Sequence, residues 1–337
     1  MRAKLSVLCS LLLAVSLLLA ACGGGAAPNR ISGEPTTISA GVFHTVGLMG
    51  DGTVLATEAI SSENDEDTGQ HNVSDWSDIV AVSTKVYHTV GLRPNGTVMA
   101  TAVTNQWLDL GQSDVGDWYD IVAVSAGYFH TVGLRSDGRV VATEVSLARH
   151  DYGQSNVDSW YDIIAVSASY RHTVGLRSDG RVVATEVVSK WFDFDLDFGQ
   201  SDVSGWYDIV AVSAGLYHTV GLRSDGTVVS TAITDSVFDR GQSDVYGWYN
   251  IVAVSARTYH TVGMRSDGRV VATAIDERFD RGQSDVSSWR GIVAVSAGYQ
   301  HTIGLRSNGR IVTTEVNDSW RDFGQTNISS WRDIKLP

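Results

Sequence analysis

The chain has 337 residues, of which 38 are Asp or Glu and 25 are Lys or Arg, so its formal net charge at pH 7 is −13. A surface of that charge repels nucleic acids and anionic lipids, which argues against binding to either of them through charge. Only two cysteines occur, Cys9 and Cys22, and both lie in or beside an N-terminal apolar segment. The rest of the chain therefore has no cysteine pair for a disulfide, and its stability must come from packing.

The first 21 residues are typical of a secretory signal peptide, with two basic residues before a short apolar run and small residues before Cys22. The apolar run is too short to be a dependable membrane span. The tetrapeptide LAAC that ends at Cys22 resembles the lipobox of bacterial lipoproteins, in which the cysteine becomes the lipidated first residue of the mature chain. We therefore expect a lipoprotein signal peptide over residues 1–21 and a lipidated flexible tether over residues 22–35. The alternative is an ordinary signal peptide that happens to carry a cysteine.

From residue 36 onwards, one unit of about 42 residues is repeated seven times. Each unit has an HTVGL phrase or a close variant, a Gly-Gln pair 22 to 27 residues after the histidine, and a tryptophan seven residues after that glycine. The repeated histidines are His44, His88, His130, His172, His218, His260 and His301. The repeated tryptophans are Trp76, Trp118, Trp160, Trp206, Trp248, Trp289 and Trp331. Length varies only between the histidine and the Gly-Gln pair, which predicts a loop or hairpin arm there.

Within each unit, the pattern predicts three β-strands. The run IVAVSA is typical of a strand that is covered on both faces. The HTVGL strand leads into Asp-Gly or Asn-Gly and then into a third run such as RVVATEV, which predicts a tight hairpin with positive φ at both turn residues. A fourth, short strand is expected near segments such as SDVSGW. No segment outside the signal peptide has a sustained helical period.

Small sheets repeated at this spacing predict an all-β fold, a seven-bladed β-propeller over residues 36–337. The unit GYFHTVGLRSDGRVVAT…DYGQSNVDSWYDIIAVSA resembles the repeat of the regulator-of-chromosome-condensation family in its His-Thr, Asp-Gly and Gly-Gln elements. The chain departs from that family after the third strand, where Thr143-Glu144 replaces the usual aromatic-glycine pair. The first unit lacks a preceding tryptophan, and the last ends soon after Trp331. We therefore expect the C-terminal segment to dock beside the N-terminal strand and close the ring.

The residues that recur in every unit are interpreted as structural. A metal ion needs three or four converging ligands, whereas the histidines belong to separate blades, so we expect no metal site and expect each histidine to bond within its own blade. The tryptophans are expected in the core. An aspartate lies two residues before every Gly-Gln pair, and we expect its side chain to accept hydrogen bonds from turn amides. These aspartates are Asp67, Asp109, Asp151, Asp197, Asp239, Asp280 and Asp322.

In the fourth unit, the stretch KWFDFDLDFG alternates bulky apolar residues with Asp193, Asp195 and Asp197. A row of carboxylates on one face of a strand is able to bind a cation or to supply an acid and a base to a glycoside. Asp197 is the repeated aspartate, however, and no second group of different character accompanies the other two. We interpret Asp193 and Asp195 as part of an exposed acidic and aromatic arm, with cation binding and catalysis as the alternatives. No catalytic residue is predicted anywhere in the chain.

Positions that differ among the repeats are the candidates for specific contacts, because aromatic side chains there bring a large contact area at low entropic cost. On the variable arms the candidates are Trp107, Trp191, Phe192, Asp193, Asp195, Phe238, Phe279 and Trp320. Immediately before a repeated histidine the candidates are Phe43, Tyr87, Phe129, Tyr217 and Tyr259. The alternative for the second set is that these side chains only cap the inner strands.

We predict a noncatalytic lipoprotein, anchored on the extracytoplasmic side of a bacterial membrane, whose propeller binds another protein. The family resemblance by itself implies guanine-nucleotide exchange and contact with chromatin, but the export signal and the acidic charge argue against both. The alternative is a surface propeller that binds or hydrolyses carbohydrate, with Trp107, Trp191 and Trp320 stacking on sugar rings. We expect no cofactor and no nucleic-acid partner. We also expect a monomer whose only membrane contact is the lipid anchor.

Overall fold

A computed structural model describes residues 36–58, 67–188, 196–318 and 322–337. The predictions for the signal peptide, for lipidation of Cys22 and for the tether lie outside these residues. The described residues form seven three-stranded antiparallel sheets and one short 3-10 helix, Ala148–His150. Within these ranges, no helix is long and apolar enough to cross a membrane.

Each sheet corresponds to one predicted unit, and its three strands follow one another along the chain. We number these sheets as blades 1 to 7. The inner strands, which line a central channel, are β1 (Ile38–Ala40), β4 (Ala81–Thr84), β7 (Ile121–Ala126), β10 (Ile163–Ala168), β13 (Ile209–Ala214), β16 (Ile251–Ala256) and β19 (Ile292–Ala297). The middle strands are β2 (Thr45–Leu48), β5 (Thr89–Leu92), β8 (Thr131–Arg135), β11 (Thr173–Arg177), β14 (Thr219–Arg223), β17 (Thr261–Arg265) and β20 (Thr302–Arg306). The outer strands are β3 (Val54–Ala56), β6 (Val98–Ala100), β9 (Val140–Ala142), β12 (Val182–Ala184), β15 (Val228–Ser230), β18 (Val270–Ala272) and β21 (Ile311–Thr313).

The inner strands are covered on both faces, as predicted, because each blade lies between two others. In β7, Val124 packs into the cluster shared with blade 2, whereas Ala123 packs into the cluster shared with blade 4. The free edge of the strand faces the channel. The hydrophobic core is therefore divided into small clusters between adjacent blades, and the repeated tryptophans contribute to them as expected.

The predicted fourth strand is wrong, since every sheet in the described residues has three strands. Before blade 3 the corresponding segment forms consecutive turns, in which the Trp118 N–H donates to the Val115 C=O. These turns place the indole of Trp118 against the middle strand of the blade, where a Cβ added to Gly133 would lie 2.8 Å from the ring. The backbone groups of the segment bond locally, so they do not extend the sheet.

The predicted hairpin between the middle and outer strands is present, but the predicted turn geometry is wrong. In blade 3, the Arg135 N–H donates to the Arg139 C=O, which encloses a three-residue loop. Only Gly138 in this loop has a positive φ, of 79°. The Asp137 carboxylate accepts a hydrogen bond from the Arg139 N–H at 3.0 Å. A three-residue hairpin loop needs the left-handed conformation only at its last position, where glycine is favoured.

The ring closes through an inner strand built from both ends of the chain, which confirms the predicted docking of the C-terminal segment. Ile334 forms an antiparallel bridge with Met49, just beyond the middle strand of blade 1. Trp331 covers Gly47 as the other tryptophans cover the glycines of their middle strands, and a Cβ added to Gly47 would lie 2.9 Å from the indole. The C-terminal segment thus completes blade 1.

Candidate interaction surface

The repeated histidines join adjacent blades, so the prediction that each bonds within its own blade is wrong. Each Nε2 lies 2.7 to 3.0 Å from the Oγ1 of the threonine that begins the next middle strand, and the last histidine reaches blade 1. The pairs are His44–Thr89, His88–Thr131, His130–Thr173, His172–Thr219, His218–Thr261, His260–Thr302 and His301–Thr45. Every one of these histidines is completely buried.

The hydrogen-bond pattern fixes the chemistry of these histidines. The Thr173 hydroxyl donates its proton to the Gln154 C=O at 2.8 Å, so its oxygen has to accept a proton from Nε2 of His130. Burial lowers the pKa of each repeated histidine to about 3, which keeps the ring neutral. These histidines are neutral, and each Nε2 bonds a threonine of the next blade. The Nδ1 atoms have no hydrogen-bond partner in the described residues, but they are buried, so these side chains hold the ring together and are out of reach of a ligand. Among the described residues, no three His, Cys, Asp or Glu side chains converge as a metal site requires.

Aromatic side chains surround a cavity at the end of the propeller where the loops between inner and middle strands lie. We call this cavity, of about 580 Å³, the aromatic bowl. Its aromatic lining consists of Phe43, Tyr87, Tyr128, Tyr217, Tyr259, Tyr299 and Phe323. All seven side chains are half-buried, so they are supported by the blades and still present a face to solvent.

Four of the five candidates before a histidine line the bowl: Phe43, Tyr87, Tyr217 and Tyr259. The fifth, Phe129, is only 5% exposed and is not among the lining residues. The centroid of its ring lies 5.6 Å from that of Tyr87 and 5.6 Å from that of Tyr170. Phe129 therefore fits the capping alternative and supports the wall of the bowl from behind.

Two candidates on the variable arms extend the rim of the bowl. Phe238 lies 4.7 Å from Tyr217 and Phe279 lies 5.6 Å from Tyr259, measured between ring centroids. Trp107 is 73% exposed and does not line the bowl. The remaining candidates on the arms lie outside the described residues: Trp191, Phe192, Asp193, Asp195 and Trp320.

The repeated aspartates accept hydrogen bonds from turn amides, as predicted. In blade 4, Oδ1 of Asp197 accepts the Gly199 N–H at 2.9 Å. The other six aspartates make the equivalent bond at 2.9 to 3.3 Å. Asp197 thus belongs to the repeated frame of the blade.

Two buried cations, Lys85 and Arg257, separate the bowl from the central channel, and neither was singled out from the sequence. Nζ of Lys85 donates to the Ala214 C=O at 3.3 Å, and Nη2 of Arg257 donates to the Lys85 C=O at 2.6 Å. These bonds join blades 2, 5 and 6, so the side chains cross the axis. The sequence does carry a signal, because this position, three residues before the histidine, holds glycine in four of the seven repeats.

A further exposed feature is an arc of Tyr–Arg pairs on blades 3 to 6. The tyrosine that follows each repeated tryptophan there is 55 to 58% exposed. A guanidinium carbon lies 4.3 to 5.3 Å from each ring centroid, a cation–π arrangement. The pairs are Arg135–Tyr119, Arg177–Tyr161, Arg223–Tyr207 and Arg265–Tyr249. These arginines recur at the same position in the four blades, at the end of the middle strand, and the tyrosines are their stacking partners.

Seven small sheets arranged around a channel, closed by one strand from both termini, define this chain as a seven-bladed β-propeller. A family model described as the regulator of chromosome condensation (RCC1) repeat matches at three places, residues 121–143, 209–231 and 292–314. Each match spans the three strands of one blade, blades 3, 5 and 7. The chain carries regulator-of-chromosome-condensation repeats, which confirms the resemblance inferred from its sequence.

Solved structures support the same fold. The chain is similar to the CRINKLY WD40 ectodomain of the Arabidopsis thaliana receptor kinase ACR4, with a TM-score of 0.59, 16% identity and coverage of 84% of this chain and 95% of that one. It is also similar to Prp20p from Saccharomyces cerevisiae, with a TM-score of 0.55, 14% identity and 81% coverage of both chains. The match to human WBSCR16 has a TM-score of 0.51 and 15% identity, and it covers 83% of this chain and 87% of that one. At these identities the similarity shows the fold alone. No curated protein matches the sequence.

Proposed function

We propose that this chain is a noncatalytic, lipid-anchored protein of the bacterial cell envelope whose propeller binds a protein partner through the aromatic bowl. The observation that carries the proposal is the contrast between two sets of residues. The residues that recur in every repeat, such as His130 and Trp160, are buried between blades. The residues that differ among the repeats gather their aromatic side chains around one cavity.

The chemistry of the bowl suits a protein ligand. Tyrosine and phenylalanine are enriched in the buried centres of protein interfaces, where each combines a large apolar area with few rotatable bonds. Tyrosine hydroxyls are neutral hydrogen-bond donors at physiological pH, and burial raises the pKa of Tyr128 and Tyr217 still further above that range. A cavity of about 580 Å³ accommodates one or two inserted side chains of a partner. The rim formed by Phe238 and Phe279 provides further contact area around them.

The structural neighbours agree with a binding role. Prp20p is described together with its binding to Gsp1p and histones, and a complex of the yeast protein with Kap60 is also known. These partners belong to those proteins. For this chain they support only the general class of protein binding, because the acidic charge of −13 does not favour a chromatin-like ligand.

The aromatic bowl is tested by substituting its walls and measuring partner capture. Tyr217→Ala and Tyr259→Ala each remove one wall, and Tyr246→Ala is the matched control because Tyr246 is fully exposed and outside the bowl. We expect one protein to be crosslinked on intact cells to the wild type and to the control. The purified partner should bind either bowl variant at least 30-fold more weakly than it binds the wild type, as loss of a hot-spot residue implies. Equal affinity of all variants would contradict the proposal. Binding to a glycan array with competition by free sugar would favour the carbohydrate alternative.

The lipid anchor is tested separately. If Cys22 is the lipid acceptor, the wild type partitions into the detergent phase, and Cys22→Ser leaves an uncleaved or soluble precursor. Partitioning of the wild type into the aqueous phase would contradict anchoring without affecting the proposal for the bowl.

A further inference from the structure

We propose that the central channel binds a small divalent oxyanion, of the phosphate or sulfate class, between the paired cations Lys85 and Arg257 and a ring of serine hydroxyls. This site is distinct from the aromatic bowl, because both cations line the channel and neither lines the bowl. The proposal therefore does not depend on the proposed function.

Lys85 and Arg257 are buried cations without a carboxylate partner in the described residues. Lys85 is 8% exposed and Arg257 is 3% exposed. Among the described residues, no Asp or Glu forms an ion pair with either side chain, and the charged group that acts on Lys85 is another cation, Arg257. Nε of Arg257 also has no hydrogen-bond partner in the described part of the chain. Buried charges are normally paired, so an arrangement of this kind favours an anion that completes it.

The direction of the pKa shifts agrees with this geometry. Burial, and then the neighbouring Arg257, hold the pKa of Lys85 well below its ordinary value, and burial lowers the pKa of Arg257 to about 10. Both shifts arise from burial in the absence of a counter-charge, and a bound dianion would oppose them.

A ring of serines lies just below the cations. On every inner strand a serine accepts the backbone N–H of an inner-strand residue in the next blade, at 2.9 to 3.0 Å. These serines are Ser39, Ser83, Ser125, Ser167, Ser213, Ser255 and Ser296, and all of them line the channel. Because each oxygen accepts a backbone proton, the hydroxyl proton points away from that bond. Among the described residues, the Ser39 hydroxyl donates to the Thr84 C=O at 3.4 Å, and the other six hydroxyls have no acceptor.

The cations and the serines face the same volume. Ser83 and Ser255 lie near the ends of β4 and β16, and Lys85 and Arg257 directly follow these strands, so the cations close the channel immediately above the serine ring. The channel has a volume of about 250 Å³, which is large enough for a tetrahedral oxyanion with a few waters. Val122, which lines the channel beyond the serines, is 48% exposed, so solvent reaches the channel from that side.

The charge and shape of a divalent oxyanion match these groups. Two positive charges balance one dianion, and its oxygens accept charge-assisted hydrogen bonds from the guanidinium and the ammonium groups. Hydroxyl donors of the serine ring satisfy the oxygens that point away from the cations. Chloride offers a single charge and no fixed geometry, so it serves as the reference anion.

The test is calorimetric titration of the purified, signal-free protein with sodium sulfate and with sodium phosphate, against sodium chloride at matched ionic strength. We expect saturable binding of one divalent anion per chain and a melting temperature that rises with the logarithm of its concentration above Kd. Arg257→Met and Lys85→Met should each weaken binding at least tenfold. Arg181→Met, which removes the same charge from an exposed turn, should bind as the wild type does.

Two results would overturn the proposal: a wild type that responds to sulfate and phosphate only as it responds to chloride, or an Arg257→Met protein that binds with wild-type affinity. If Arg257→Met does not fold, Lys85→Gly provides the second variant, since glycine occupies this position in four other blades. Lys85→Gly should also bind at least tenfold more weakly, and unchanged binding would refute the site. Tyr217→Ala should retain full anion binding, which separates this result from the test of the bowl.

Discussion

Replacing Thr131 by valine tests the ring of hydrogen bonds that joins the blades. The Thr131 hydroxyl accepts the Nε2 proton of His88 at 2.7 Å and donates to the Gln112 C=O at 2.7 Å. Valine has nearly the same shape, so the substitution removes both hydrogen bonds and leaves little cavity. All three partners are completely buried, and water cannot replace the lost hydroxyl without new space.

The expected loss of stability comes from two buried polar groups that lose their hydrogen-bond partner. An unsatisfied buried donor or acceptor costs about 1 to 3 kcal/mol. The His88 N–H and the Gln112 C=O are both left without their partner, so we expect the free energy of unfolding to fall by about 2 to 6 kcal/mol. That is a large part of the total stability of about 5 to 15 kcal/mol that is usual for a folded protein.

The measurement is urea unfolding at pH 7, followed by tryptophan fluorescence and by circular dichroism to establish that the transitions coincide. Thr104→Val is the matched control, because Thr104 is exposed, and it should change stability by less than about 0.5 kcal/mol. A double-mutant cycle with His88→Phe should give a coupling energy of at least about 1 kcal/mol. A Thr131→Val protein as stable as the control, or additive effects in the cycle, would refute the inter-blade ring.

Three further predictions concern stability. Burial lowers the pKa of each repeated histidine from 6.5 to about 3, so the unfolded chain binds more protons than the folded chain between these pH values. The free energy of unfolding measured in urea should therefore fall as the pH drops below about 6.5, by up to about 1.4 kcal/mol per pH unit per histidine. An unchanged free energy of unfolding down to pH 4 would show that the histidines are not buried. Deleting residues 331–337 opens blade 1 and should cost several kcal/mol, given about 3 to 5 kcal/mol for a buried tryptophan; an unchanged melting temperature would mean that the ring closes in another way. Asp197→Ala removes the acceptor of the Gly199 N–H and should cost about 1 to 2 kcal/mol. Asp193→Ala should stay within about 0.5 kcal/mol, and equal losses from both aspartate variants in urea unfolding would place Asp193 in the frame as well.

The blades could be predicted from the sequence because their determinants are local. The apolar run of Ile121–Ala126, the Asp137-Gly138 pair and the short run after it specify strands and a hairpin within a few residues of each other. Seven copies of that pattern then leave radial repetition as the way to bury both faces of each sheet. Closure was predictable for the same reason, since the first and last units are each incomplete.

The hydrogen bonds between histidines and threonines of adjacent blades could not be predicted, because every repeat offers the same residues. His130 has a threonine at the same place in its own unit, Thr131, and in the next, Thr173. The sequence pattern is identical whichever of the two is bonded, and only the structure shows that the bond runs to the next blade. The prediction of a fourth strand was wrong because packing of the Trp118 indole determines the conformation of this segment. The weak alternation of apolar and polar residues there does not.

The candidate site was predicted in part. A position immediately before the repeated histidine lies in the loop between the inner and middle strands, so Tyr217 and Tyr259 could be singled out from the sequence. Their convergence on one cavity depends on the ring geometry, which also buries Phe129. Lys85 and Arg257 could not be predicted as a pair, because each replaces a small residue in a single repeat. Their contact across the axis joins blades that are distant in the sequence.

Docking of a partner protein on the aromatic bowl can be tested by site-specific photocrosslinking on intact cells. A photoreactive phenylalanine analogue placed at position 217 projects into the bowl, and the same analogue at position 246 is fully exposed outside it. We expect one discrete protein adduct from position 217, identified by mass spectrometry and lost when Tyr259 is changed to alanine, with no such adduct from position 246. Adducts of the same protein from both positions, or none from position 217, would contradict it.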